Sequence, residues 1–426
     1  PLSELVMRRG ALFVLGAIVV VAAMMFGVAW YARDGGIAPI VGPAAAVTDA
    51  STTVPVAADT IPSSTTGPLV PAGVPPSPRP EPPPPQAQAL DGFAGVGAVT
   101  VAAGGADLYA EIGGPILVRA REGLLMAAEG SAQGGWIRLL TMCDTEAWVQ
   151  AAEVFAEPAV PLRAIGSGFS FSDAVVVVDP GHGGPHNIGA VSPDGTLLEK
   201  EINVDIARRL RDLLETSHTV DWNTGTIFVG DEVPAVQRVY VTRTGEGEAA
   251  DYEAGLIFRS RLANAVNADA MVSIHNNAGW ELSLEIPGSD VYYQSQIPES
   301  RRLAIILSEE FQRSFASFDA DWVGASFVGA KSRLSPRDGT SQYYGVLRRS
   351  EMPTVIGEGA YLSSQSEAEL LATPEFRQAY AEAAYRALVR FLTTDDPGSW
   401  PSADPVVWDV SRGSGNARPD CVIPSQ

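Results

Sequence analysis

From Phe171 onward, runs of consecutive apolar residues alternate with segments in which apolar residues recur every three or four positions. The runs are short and rich in valine and isoleucine, as buried strands are, whereas the recurring spacing is that of amphipathic helices. Strands are therefore predicted at 174–180, 238–243, 270–275, 289–295 and 353–358, and helices at 198–215, 256–268, 299–315 and 375–392. This alternation predicts an α/β fold over residues 171–395, with a mostly parallel twisted sheet and helices on both of its faces.

Residues 91–160 have a different pattern, in which short apolar runs are separated by glycines. Several short strands at this spacing predict a small all-β domain, either a barrel or a sandwich. The segments GGWIRLL and EAWVQ place Trp136 and Trp148 on successive strands, and this arrangement resembles bacterial SH3-like domains. An unrelated small β-domain, whose tryptophans are simply core residues, is the alternative.

The N-terminal region predicts attachment to a membrane. Residues 10–31 contain no charge, and these 22 residues suit a transmembrane helix, which needs about 20. Arg8 and Arg9 precede the segment, so the positive-inside rule places residues 1–9 in the cytosol and the rest of the chain outside. We therefore expect a retained signal anchor and a single-pass membrane protein, or a secreted protein if the segment is a cleaved signal peptide.

Composition separates the folded parts from the rest of the chain. Residues 32–90 are rich in proline and alanine and predict a disordered linker that holds the folded part clear of the membrane. Residues 396–426 lack periodicity and predict a tail, which is either loose or held by Cys421.

Charge and cysteine content narrow the choice of partners and of compartment. The formal charge of −21 and the pI near 4.6 disfavour nucleic acid as a partner. The two cysteines, Cys143 and Cys421, are too few for a disulfide scaffold. They can form one bridge if the chain folds outside the cytosol, although their spacing does not show whether they meet.

Candidate chemistry gathers at the predicted strand ends, where α/β sheets bind their ligands. His182 follows the first strand, His275 ends the strand at 270–275, and Glu358 ends the strand at 353–358. Glu199 opens the first helix three residues before Ile202 and is predicted to point inward. Each residue alone has a plainer explanation, since a lone histidine is usually structural and Glu199 can complement the helix dipole.

Taken together, these residues suggest a metal site. Two imidazoles and one carboxylate, here His182, His275 and Glu199, form the donor set of catalytic zinc sites, which keep one position open for water. A further carboxylate can take a proton from that water, and Glu358 is the candidate for this base.

Five segments then identify a family. The sequences VVVDPGHGG, LLEKEINVDIARRL, VYVTR, RSRLANAVNADAMVSIHNNA and GVLRRSEMPTVIGEGAYLSS resemble, in this order, the zinc-dependent N-acetylmuramoyl-L-alanine amidases of the amidase 3 type. The resemblance implies one Zn²⁺ per catalytic domain, bound by His182, Glu199 and His275, with Glu358 as the catalytic residue. It implies hydrolysis of the amide between N-acetylmuramic acid and L-alanine in peptidoglycan, on the cell-wall side of a bacterial membrane.

The resemblance extends to substrate contacts and has one clear departure. Asn277 and Arg348 match recurrent family positions and are predicted to contact substrate or to shape the site. Arg243 and Arg259 also match, but buried structural ion pairs explain them equally well. Where the family has x-D-x-G-A after the two glycines, this chain has PHNIGA, so His186 is a further candidate for substrate contact, for metal binding or for proton transfer, or is simply a loop residue.

Two alternatives to a peptidoglycan amidase stay open. One is a non-catalytic protein that binds peptidoglycan or regulates another enzyme on the same fold. The other is a different zinc peptidoglycan hydrolase, such as an endopeptidase or a deacetylase. The sequence also leaves open whether a regulatory protein partner is needed.

Overall fold

Two β-sheets of different topology organise the chain. The structure, a computed structural model, describes residues 95–130, 132–244, 254–279, 288–318, 329–408 and 421–425. The predicted signal anchor at 10–31 and the predicted linker at 32–90 lie outside these residues and stay predictions. Within the described ranges, no helix has both the length and the apolar character that a membrane span requires.

The first sheet contains seven short antiparallel strands in the order β3-β2-β6-β5-β4-β1-β7. Its strands are β1 (Val96–Val101), β2 (Ala106–Tyr109), β3 (Ile116–Ala120), β4 (Leu125–Ala128), β5 (Trp136–Leu140), β6 (Glu146–Gln150) and β7 (Val154–Pro158). Short strands thus occupy the region in which the pattern predicts them. Trp136 and Trp148 do lie on neighbouring strands, and both side chains are half-buried. The SH3-like assignment itself stays a prediction.

The second sheet contains six strands in the order β11-β8-β12-β16-β13-β14. These strands are β8 (Val175–Pro180), β11 (Arg238–Val241), β12 (Ala270–Asn277), β13 (Asp290–Tyr293), β14 (Gly329–Lys331) and β16 (Thr354–Tyr361). Every neighbouring pair is parallel except β13 and β16, which run antiparallel. The sheet is therefore mixed, and the reversed strand brings Asp290 opposite Glu358.

Helices cover this sheet as the alternating pattern predicts. They are α1 (Glu199–Leu214), α2 (Leu256–Ala265), α3 (Pro298–Phe315), α4 (Gly345–Arg349), α5 (Gln365–Leu371) and α6 (Pro374–Thr393). The helix pattern did not predict the two short helices α4 and α5. The strand pattern did not predict the hairpin of β9 (His218–Asp221) and β10 (Thr226–Val229), or the pair of β15 (Arg333–Leu334) and β17 (Val406–Val407).

The two faces of the central sheet have different coverings. Because strand side chains alternate, Val176 and Val178 of β8 face one core, and Val175 and Val177 face another. Apolar residues of α1, α3 and α6 fill the first core. The second core contains residues of α2 and α4 together with the buried residues of the seven-stranded sheet. The described residues of the two sheets therefore belong to one compact unit.

A disulfide joins the C-terminal tail to the seven-stranded sheet. Cys143, in the turn between β5 and β6, bonds to Cys421, and Ser425 pairs with Ala120 of β3. The tail is thus held by Cys421, one of the two outcomes that the sequence left open.

We expect removal of this disulfide to destabilise the protein. The bridge closes a loop of 278 residues, so the unfolded chain gains substantial entropy without it. A Cys143→Ser/Cys421→Ser double variant should lose about 2–4 kcal/mol of unfolding free energy, the range typical of native disulfides. Urea denaturation of wild type and variant measures the difference. A variant with the midpoint of the wild type in denaturant would contradict the bridge.

Candidate metal centre and catalytic site

The loop after β8 presents His182 in an unusual backbone conformation. His182 has a φ of 63°, in the left-handed region that a residue with a side chain seldom adopts. The preceding Gly181 lies against His275, and a Cβ at position 181 would overlap the ring of this histidine. The backbone at 181 and the ring of His275 are therefore in direct contact, which places the ends of β8 and β12 side by side.

Glu199 lies between the two histidines. Its Oε2 is 3.0 Å from Nε2 of His182, and its Oε1 is 3.0 Å from Nδ1 of His275. The two rings lie 4.8 Å apart, centroid to centroid. In the part of the chain that the structure describes, these three residues are the group of histidines and acids whose donor atoms are close enough to hold a metal ion, all within 4.8 Å. Two imidazole nitrogens and one carboxylate oxygen suit a borderline metal such as zinc.

Polar neighbours fix the orientation of this triad. Oδ1 of Asn187 lies 2.8 Å from Nδ1 of His182, and an N–H at Nδ1 leaves Nε2 free as the ligand atom. The backbone N–H of Ala190 donates to Oε2 of Glu199, and the N–H of Asn276 donates to Oε1. Burial alone would raise the pKa of Glu199, but His182 and His275 outweigh it and lower the pKa well below its ordinary value. Glu199 is thus held as a carboxylate, the form that binds metal.

Two buried arginines hold the loop that carries His182. The carbonyl oxygen of His182 accepts hydrogen bonds from Nε of Arg243, at 3.0 Å, and from Nη2 of Arg259. Nη1 of Arg259 also donates to the carbonyl of Pro180 at 2.7 Å and pairs with Asp179, which is fully buried. The sequence suggested structural ion pairs for both arginines. Arg259 makes such a pair, and in addition both guanidinium groups fix the strained residue 182.

Glu358 faces the triad from the neighbouring strand. It lies opposite His275 in the register between β12 and β16, and opposite Asp290 in the register between β16 and β13. Its Oε2 is buried and has no hydrogen-bond partner among the described residues. Burial raises the pKa of Glu358 well above its ordinary value, and the nearby carboxylates of Glu199 and Asp290 raise it further. An unpaired buried carboxyl beside a metal-binding group is poised to exchange a proton with a ligand in the site.

Asp290 is a member of the site that sequence reasoning missed. Its Oδ1 forms an ion pair with Nζ of Lys331 at 2.6 Å, and its Oδ2 accepts a hydrogen bond from Nδ2 of Asn277 at 3.1 Å. Only the antiparallel pairing of β13 brings this carboxylate next to Glu358. The pattern predicts a mostly parallel sheet, which the structure confirms, but it does not identify β13 as the reversed strand and so gave no signal for Asp290.

The three tentative substrate residues lie in different settings. Asn277, at the end of β12, is half-buried and bonded to Asp290. Arg348 is exposed on α4, and its Nη1 donates to the carbonyls of Gln342 and Tyr343. His186 is exposed and lies outside the metal-binding group, whereas the next residue, Asn187, contacts His182. A substrate role for any of the three stays a prediction.

The comparisons with known proteins concern this half of the chain. A family model described as N-acetylmuramoyl-L-alanine amidase (Amidase_3) matches residues 176–390. The chain is 27% identical over 224 residues to the germination-specific N-acetylmuramoyl-L-alanine amidase of Bacillus subtilis, a match that covers 52% of this chain and 81% of the relative. It is 29% identical over 218 residues to the N-acetylmuramoyl-L-alanine amidase LytC of the same organism, over 51% of this chain and 35% of the relative.

Among solved structures, the N-acetylmuramoyl-L-alanine amidase AmiC2 of Nostoc punctiforme is similar to this chain. It is 27% identical to this chain, with a TM-score of 0.39, and the match covers 53% of this chain and 99% of the other.

Proposed function

The chain belongs to the Amidase_3 family of N-acetylmuramoyl-L-alanine amidases, and on this premise we propose that it is a zinc-dependent enzyme that hydrolyses the amide between N-acetylmuramic acid and L-alanine in peptidoglycan. The observation that carries the proposal is the convergence of His182, Glu199 and His275 beside Glu358. A protein that keeps the fold but not the catalysis usually loses one of the residues of the site, whereas this chain has all three donors and the carboxyl group of Glu358. This argues against the non-catalytic alternative.

The donor set fits zinc, and each residue has a definite task. His182, Glu199 and His275 would hold the ion, and zinc in such a site supplies Lewis acidity that polarises a carbonyl and acidifies water. Asn187 keeps Nδ1 of His182 engaged so that Nε2 faces the site. Arg243 and Arg259 fix the backbone of the same residue.

Glu358 would carry the proton in both halves of the reaction. Its unpaired Oε2 can accept a proton from the attacking water and then donate it to the departing amine of L-alanine. Burial raises the pKa of this carboxyl group and so favours its protonated form, which is the form that donates a proton to the departing amine. No covalent intermediate on a protein side chain is needed, because water is the nucleophile.

We also propose a location for this reaction. The uncharged segment 10–31 and the arginines before it support a membrane anchor with the catalytic part on the wall side. The Cys143–Cys421 bridge supports folding in an oxidising compartment. The seven-stranded sheet would be an SH3-like domain, as the arrangement of Trp136 and Trp148 suggests.

A digest of purified peptidoglycan tests the activity. We expect the zinc-loaded protein to release free stem peptides with a new N-terminal alanine, identified by mass spectrometry, and chelation of the metal to abolish their release. Cleavage within the peptides would instead support an endopeptidase, and loss of acetyl groups a deacetylase. Intact muropeptides despite bound zinc would support the non-catalytic alternative.

A further inference from the structure

Helix α2 is held at both ends by the seven-stranded sheet. At its N-terminus, Oδ1 of Asp144 accepts a hydrogen bond from the backbone N–H of Phe258 at 2.8 Å. Just before the helix, the N–H of Gly255 donates to the carbonyl of Met142 at 2.8 Å. At the other end, β1 packs so closely that a Cβ on Gly97 would lie 2.6 Å from the carbonyl oxygen of Ala265. The sheet therefore contacts the helix at both of its ends.

The turn that makes the N-terminal contact is itself firmly fixed. Asp144 has a φ of 56°, a left-handed conformation that aspartate tolerates better than most residues. Its neighbour Cys143 is bonded to Cys421. The carboxylate of Asp144 packs directly on Gly255, where an added Cβ would overlap it.

One side chain of α2 reaches the candidate metal centre. Arg259, one residue after Phe258, extends to the end of β8, where it binds the carbonyls of Pro180 and His182 and pairs with Asp179. The guanidinium group of Arg259 is a rigid fork of N–H donors, and its acceptors are fixed. The backbone of Arg259 can therefore move little without breaking these hydrogen bonds. A shift of the first turn of α2 would therefore reach the left-handed residue that carries a metal ligand.

We propose that Asp144 is a positioning residue for the metal centre: it holds α2 in the place from which Arg259 fixes His182. The inference rests on the metal site of the proposed function, but it concerns a residue in a different sheet. In this role Asp144 links the seven-stranded sheet to the metal site, in addition to the part that this sheet has in covering α2 and α4. Asp144 needs no contact with substrate to act in this way.

The test compares two aspartates of the same sheet in the full-length chain. Asp144→Ala removes the side-chain oxygen that accepts the N–H of Phe258. The matched control, Asp107→Ala, removes an ion pair with Arg119 that lies within the seven-stranded sheet. Zinc affinity is measured by competition with a chelator, and amide hydrogen exchange is measured on peptides containing Gly181 and Gly183, whose N–H groups bond to Ile274 and Asn187.

We expect Asp144→Ala to weaken zinc binding about ten-fold, the lower end of the effect of outer-shell residues on metal affinity. Hydrogen exchange at Gly181 and Gly183 should become faster in the same variant, with metal or without it. Asp107→Ala should leave both quantities unchanged even if its melting temperature falls. Asp144→Asn keeps an oxygen acceptor for the N–H of Phe258 and should restore most of the zinc affinity.

These readouts separate the proposal from the proposed function. A protein that binds zinc but does not cleave peptidoglycan would overturn the amidase function and leave the role of Asp144 intact. A folded Asp144→Ala variant with the zinc affinity and the hydrogen exchange of the wild type would overturn the positioning role. Equal losses in Asp144→Ala and Asp107→Ala would also overturn it, because they would indicate a general loss of stability.

Discussion

Replacing Glu358 with glutamine is expected to lower kcat by about 10²–10⁴, the range that general acid–base catalysis contributes, while zinc stays bound. Glutamine has nearly the shape of glutamate but cannot carry a proton between water and the leaving amine. The proposed metal ligands His182, Glu199 and His275 are untouched by the change. Peptidoglycan digestion and a zinc assay on the same sample measure the two expected results.

Glu367→Gln is the matched control for this prediction. Glu367 is also a buried glutamate with one oxygen that lacks a hydrogen-bond partner among the described residues. Burial raises its pKa to about 7, so glutamine resembles its protonated form. It accepts a hydrogen bond from the N–H of Tyr361 and lies outside the metal-binding group, so we expect nearly normal activity. If Glu358→Gln were as active as this control, the assignment of the base would be wrong.

The second large effect is expected when Arg259 is replaced with leucine. Its guanidinium group pairs with Asp179, and the side chains of both residues are at most 2% exposed. Loss of one partner leaves a buried charge without compensation, which destabilises a protein by about 3–5 kcal/mol. Urea denaturation of the metal-free protein at pH 7 measures this difference without any contribution from zinc.

The unfolding free energy lost in Arg259→Leu should depend on pH, and the pKa of Asp179 determines the direction of this dependence. Burial alone would raise the pKa of Asp179, but Arg259, Ser273 and Thr242 outweigh it and hold the pKa below its ordinary value. In the wild type this lowered pKa stabilises the fold above about pH 4, the ordinary pKa of aspartate, and the contribution is lost as the pH falls through the lowered value. Without Arg259, burial prevails and the aspartate is better accommodated when protonated. The difference between wild type and variant should therefore be largest at neutral pH and shrink toward pH 4.

Arg386→Leu provides the comparison for Arg259→Leu. Arg386 is equally buried and pairs with Glu310, which lies on α3 away from the His182 loop. Both variants should lose stability, but only Arg259→Leu should also lose zinc affinity. An unchanged zinc affinity in a folded Arg259→Leu variant would show that the loop holds His182 without this arginine.

The main elements and the grouping of His182, Glu199 and His275 could be predicted because their signals are local. Four consecutive valines predict β8, and the spacing of Ile202 and Ile206 predicts the buried face of α1. Since the ends of parallel strands meet at one edge of a sheet, the sequence predicts that His182 and His275 lie together. Glu199 follows from its place in the first turn of the helix.

The remaining features depend on pairings between distant parts of the chain. Asp290 joins the site only because β13 runs against β16, and no residue within β13 signals that direction. The contact of Asn187 with His182 depends on a loop in which the chain departs from the family pattern. The role of Asp144 requires the seven-stranded sheet to dock on α2, across 114 residues of sequence.

The seven-stranded sheet covers helices α2 and α4 on one side of the central sheet, and this limits which fragments of the chain can be expressed as folded proteins. An expression fragment beginning at 171 would contain every proposed metal ligand and the proposed base. It would also strip α2 and α4 of the apolar residues of β1 to β7 that cover them, and so present a wide hydrophobic area to water. Aggregation of such a fragment would reflect a missing partner surface and not a defective active site. A fragment that keeps the second core covered must include strands β1 to β7, and one that keeps the disulfide must include Cys421.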